Sequence, residues 1–119
     1  MDYISYVLIA LVMFFVLKRI LLSKGIRNIS ISELKNQLND KNKQYIDVRT
    51  FSEYKANNIK GFKNIPLHHL PANLDELSKD KEVVVICQSG MRSQNATKIL
   101  KKLGFTNVTN VKGGMSAWR

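Results

Sequence analysis

The sequence predicts an α/β fold, a compact sandwich built around a mostly parallel sheet and preceded by one transmembrane helix. Three observations carry this. Val83-Val84-Val85-Ile86 is apolar at every position, as in a strand buried on both faces of a parallel sheet. After a short polar loop, Ala96, Ile99, Leu100 and Leu103 recur at the spacing of one helix face, so the order is strand, loop, helix. Tyr3 to Leu17 contains no charged residue and is dominated by Ile, Leu, Val, Met and Phe.

That N-terminal run is extended beyond Lys18-Arg19 by Ile20-Leu21-Leu22. Residues 3–22 reach the ~20 residues needed to span a bilayer if Lys18 and Arg19 snorkel, giving an anchor of marginal length. Asp2 precedes the apolar run, and Lys18, Arg19, Lys24 and Arg27 follow it. A secretory signal has the opposite charge order. The positive-inside rule therefore predicts a single-pass membrane protein with its C-terminal part on the cytoplasmic side. A lone cysteine agrees with a reducing compartment. A helix buried in an oligomer is the alternative. Residues 23–28 read as a basic juxtamembrane linker and 29–119 as one domain, small for a self-sufficient core.

Within the domain, Ser30-Ile31-Ser32-Glu33 has the form of a capping box and starts a helix with Leu34 and Leu38 on one face. Strands are predicted at Tyr45 to Val48, Val83 to Ile86 and Val108 to Val111. Gly104 supplies a helix stop. Gly113-Gly114 fits a sharp turn or a close backbone approach before a last short helix. Trp118 reads as a staple docking the chain end onto the core.

Cys87 closes the apolar strand and opens Cys87-Gln88-Ser89-Gly90-Met91-Arg92-Ser93. In an open α/β sheet, ligands bind beyond the carboxyl ends of the strands, where a helix N-terminus favours negative charge. A positive helix end and Arg92 should favour thiolate over thiol and lower the pKa of Cys87. Gly90 and the small Ser89 let successive amides turn inward as a cradle for an anion. The expected chemistry is attack by sulfur on a small anionic substrate.

These residues resemble a rhodanese domain, the thiosulfate sulfurtransferase family. Four blocks carry the resemblance: Tyr45-Ile46-Asp47-Val48-Arg49 with Glu53-Tyr54; Ile59-Lys60-Gly61-Phe62-Lys63-Asn64-Ile65-Pro66-Leu67; the Cys87 to Ser93 loop; and Val111-Lys112-Gly113-Gly114 with Ala117-Trp118. The resemblance implies a rhodanese-like three-layer sandwich. It also implies that Cys87 is catalytic, and that Gln88, Ser89, Gly90, Met91, Arg92 and Ser93 bind substrate. Cys87 would take sulfane sulfur from thiosulfate or a persulfide or polysulfide donor. It would pass that sulfur, as a persulfide, to a thiol, cyanide or protein acceptor, with Arg92 holding the donor or the loop.

Cysteine phosphatases resemble the same unit but place five residues between Cys and Arg, whereas four intervene here. A non-catalytic, membrane-tethered binding module is the other alternative. Two positions depart from the family pattern: Asn58 stands where His is common, and Phe62 where a small residue is usual. Both bear on packing and helix termination more than on chemistry.

Asp47 is expected at the same sheet edge as Cys87 and is a candidate support for the loop. Arg49 and Glu53 read as a local ion pair. His68 and His69 lie in a loop with no second ligand cluster in the sequence, so no metal and no cofactor are expected. The net charge of +10 comes partly from residues flanking the apolar run and otherwise from scattered Lys. It fits a lipid surface or steering of an anionic donor, and no nucleic-acid groove is marked.

Overall fold

The computed structural model describes residues 2–23 and 25–118, with side chains described for all but 19–23. Helix α1 (Tyr3–Ser23) leads into strands β1 (Ile26–Ile29), β2 (Gln44–Asp47), β3 (Lys63–Asn64), β4 (Val83–Ile86) and β5 (Val108–Val111). They form one sheet in the order β1-β5-β4-β2-β3, parallel at every pairing. Helices α2 (Ile31–Gln37), α3 (Phe51–Ala56), α4 (Met91–Lys102) and α5 (Gly114–Ala117) and the 3-10 segment Leu67–Glu76 complete the chain.

Alternation along each strand sends side chains to two cores. On one face Val83, Val85 and Val108 pack with Ala96 and Leu100 of α4 and with Leu70. On the other, Val84, Ile86 and Val111 pack with Leu34 of α2, Phe62 and Met115. The result is the expected three-layer α/β sandwich. Phe62 packs edge-on against Tyr45, centroids 5.3 Å apart, and the Asn58 amide donates to the Tyr54 carbonyl at 2.8 Å. Both family departures are thus taken up by packing and helix termination. Trp118 lies against the second core, with the Lys35 ammonium 5.2 Å from its ring, as a staple requires.

The capping box at α2 is present: the Glu33 amide donates to Ser30 Oγ at 3.2 Å and the Ser30 amide to Glu33 Oε1 at 3.3 Å. Thr50 and Glu53 form a second box at α3, unread in the sequence although Thr50-Phe51-Ser52-Glu53 carries the same spacing. The linker expected over 23–28 is also revised. Ile26–Ile29 pair with Val108–Val111, and the Arg27 guanidinium lies 3.4 Å from the buried Glu82 carboxylate. Part of the basic segment is an edge strand of the domain.

The anchor expected over 3–22 is not shown. Among the described residues, no helix is long and apolar enough to cross a membrane. The uncharged run Tyr3–Leu17 supplies fifteen residues, about 22 Å of helix, and the rest of α1 begins with Lys18 and Arg19. The extension through Arg19 to Leu22 rests on side chains outside the described residues, as does Lys24. Within Tyr3–Leu17, every large apolar side chain is at least 42% exposed.

Candidate functional site

Because all strands are parallel, their carboxyl ends share one edge, and β4 delivers Cys87 there. Cys87 is fully buried beneath the loop that follows. Gly90 takes φ 106°, a conformation that glycine adopts without steric cost, and this turns its N–H onto Cys87 Sγ at 2.9 Å. The thiol donates to Ser93 Oγ at 3.3 Å, and that hydroxyl donates onward to the Gly90 carbonyl at 3.0 Å. Helix α4 starts at Met91, so its positive end begins beside the sulfur. Gly90 and Ser93 are buried within the loop, whereas Gln88, Ser89 and Met91 are exposed at its rim.

The loop is clamped from below by α5. The Met115 amide donates to the Cys87 carbonyl at 2.8 Å, and the Ser116 amide to the Gln88 carbonyl at 2.9 Å. Ser116 Oγ donates to that same carbonyl at 2.8 Å. Gly114 makes the approach possible: a Cβ there would lie 2.1 Å from the Cys87 carbonyl oxygen. Sequence reasoning read the two glycines as a close approach but left out Met115 and Ser116, because nothing local to them points to a loop so distant in the chain.

Two ion pairs hold the loop from the side, and neither is the pair read from the sequence. Arg49 does not meet Glu53. Its Nε and Nη2 donate to both oxygens of Asp47 at 2.8–3.1 Å, in a buried pair. Its Nη1 reaches Gln88 Oε1 at 3.3 Å. Asp47 therefore touches the loop through Arg49. Glu53 instead takes Arg92, at 2.6 and 2.8 Å in a bidentate pair, which ties α3 to the first turn of α4. Of the two roles expected for Arg92, this geometry is that of loop holder. His68 and His69 are exposed in the 3-10 segment, and among the described residues no group of three or more metal-ligating side chains forms.

The Arg92 hydrogen bonds hold the Glu53 carboxyl down to about 2. A depressed carboxylate contributes stability above its ordinary value of 4.5 and loses it as pH falls through the folded value. Both side chains are about a third exposed, so screening limits the contribution to about 1 kcal/mol or less. The wild type is expected to loosen at the loop between about pH 4.5 and 2. Amide hydrogen exchange at Gly90–Ser93 checks this, and Glu53→Gln should remove the acid-dependent component. An unchanged pH profile in that variant would refute the assignment.

Comparison with known proteins agrees with the fold and the loop. The rhodanese-like domain model matches residues 30–119. The chain is 43% identical over 94 residues to the putative sulfurtransferase YtwF of Bacillus subtilis, covering 78% of this chain and 90% of that one. It is 36% identical over 97 residues to the putative sulfur carrier protein YrkF of the same organism, covering 81% of this chain but only about half, 52%, of YrkF. A crystal structure of a rhodanese-like domain protein from Staphylococcus aureus superposes with a TM-score of 0.73 at 36% identity, covering 78% of this chain and 91% of that one. With its parallel sheet, its cysteine loop and these relatives, the chain belongs to the rhodanese-like domain family.

Proposed function

We propose that this chain is a sulfurtransferase in which Cys87 is the nucleophile. The Cys87 thiolate attacks the outer sulfur of thiosulfate or of a persulfide or polysulfide. A new S–S bond forms as the donor's own S–S bond breaks, releasing sulfite from thiosulfate, a thiolate from a persulfide, or a polysulfide shorter by one sulfur, and leaving Cys87 as a persulfide. An acceptor thiolate or cyanide then attacks the terminal sulfur and releases the Cys87 thiolate, so atoms and charge balance over the cycle. The observation that carries this reading is the Gly90 N–H aimed at Sγ at 2.9 Å, a fixed donor for an anionic sulfur. Similarity to a putative sulfurtransferase and a putative sulfur carrier supports it.

A phosphatase would need its arginine turned toward the loop to hold a phosphoryl group, whereas Arg92 is committed to Glu53. The test is intact mass spectrometry of the full chain in detergent after thiosulfate treatment. One added sulfur, lost on cyanide treatment, is expected. A folded protein that takes no sulfur from thiosulfate or from a persulfide donor would overturn this reading in favour of a binding module.

We further propose that α1 attaches the domain to a membrane, with Cys87 on the cytoplasmic side. Support comes from the uncharged run Tyr3–Leu17, whose large apolar side chains are all exposed, and from the basic residues that follow it. Exposed apolar surface of that extent is unfavourable in water. The protein is expected to stay with the membrane pellet through an alkaline carbonate wash; release into the supernatant would count against attachment.

A further inference from the structure

We infer that a polar groove between β1, β5 and α4, separate from the Cys87 loop, is a binding site for a small 2-hydroxycarboxylate. The groove has a volume of about 160 Å³ and is lined by Ile26, Asn28, Gln94, Thr97, Lys98 and Asn110. Asn28 and Asn110 are register partners on neighbouring strands. The Asn110 amide donates to Asn28 Oδ1 at 3.0 Å. Asn110 is 1% exposed, yet among the described residues its buried Oδ1 has no hydrogen-bond partner. A buried acceptor left alone is penalised, and Asn110 is one of the residues that line the groove.

The chemistry of the ligand follows from the lining. Among the described residues no acidic side chain lines the groove and no carboxylate pairs with Lys98. An anion is therefore favoured on the α4 side. Next to it must stand a group able to answer one buried amide atom. A hydroxyl does so with a single bond, and as both donor and acceptor it suits either orientation of the Asn110 amide. An ammonium would bring a charge and three donors to a site offering one buried acceptor, and its desolvation would go uncompensated. The volume admits a few heavy atoms and excludes a nucleotide or larger cofactor.

The test is calorimetric titration of the full chain in detergent micelles with L-lactate, acetate and L-alanine as probes. Saturable lactate binding is expected, with acetate and alanine each at least about tenfold weaker. Asn110→Leu and Lys98→Gln should each weaken lactate by about tenfold or more while the melting temperature is retained. No saturation by lactate up to about 50 mM would overturn the proposal. So would acetate or alanine binding as well as lactate, or lactate binding unchanged in either variant. If Asn110→Leu fails to fold, the acetate comparison and the exposed Lys98→Gln variant still decide.

Discussion

Cys87→Ser is expected to fold as the wild type does and to lose sulfur transfer by about four orders of magnitude or more, the scale on which removal of a nucleophile acts. The two halves of this expectation rest on different observations. Folding is retained because the loop is held by backbone and flanking side chains, not by sulfur. The Met115 and Ser116 amides bind the carbonyls of Cys87 and Gln88, and Arg92 is tied to Glu53. A serine hydroxyl can keep both polar neighbours of Sγ, the Gly90 N–H and Ser93 Oγ, so the buried oxygen is satisfied and the cost is about 1 kcal/mol. Activity is lost because an alkoxide is not available at neutral pH and forms no persulfide equivalent. Cyanolysis rates with thiosulfate, read beside a thermal melt, check both halves. A variant that folds and still turns over at the wild-type rate would remove Cys87 from the mechanism.

What could be read from the sequence was whatever is local and periodic. Val83–Ile86 and Val108–Val111 declared themselves as strands because both lie in the interior of the sheet, where every position is buried. Ser30 and Glu33 declared a helix start because both partners of the box lie within one turn. Ile26–Ile29 did not, because an edge strand with two exposed positions and an arginine carries no apolar run; what makes it a strand is β5, about eighty residues away. The two-residue strand Lys63–Asn64 is likewise defined by its partner.

The candidate site divides in the same way. Cys87, Gly90 and Ser93 were legible because strand, loop and helix are contiguous. The ion pairs were not: proximity in sequence favoured Arg49 with Glu53, whereas burial of Asp47 at 0% exposure demands a close counter-charge and takes Arg49 for itself. Glu53 is then left for Arg92, whose place beside it depends on the docking of two helices.

Gly114→Ala tests the least legible part of the site, the clamp beneath the loop. Gly114 sits at φ 55°, where a Cβ costs about 1–2 kcal/mol by itself. Its Cβ would stand 2.1 Å from the Cys87 oxygen and 2.9 Å from the carbonyl carbons of Cys87 and Gln88. These are backbone atoms with no rotamer to escape into, so relief requires α5 to move away from the loop. That movement breaks the Met115 and Ser116 hydrogen bonds to the Cys87 and Gln88 carbonyls, and so frees the two peptides that lead into the Ser89–Gly90 peptide, whose N–H reaches sulfur. The expected loss is about 3 kcal/mol or more of stability. Sulfur transfer in the fraction that remains folded is expected to fall by about a hundredfold. Gly61→Ala separates strain from clash, for Gly61 also has positive φ, 100°, but nothing within 4 Å of its would-be Cβ. That variant should show only the backbone cost and keep its transfer rate. Urea denaturation and cyanolysis of the two variants side by side decide the matter. Equal losses in both would reduce Gly114 to a strained turn, whereas a rate defect confined to Gly114→Ala places the approach of α5 to the Cys87 carbonyl among the conditions for a working loop.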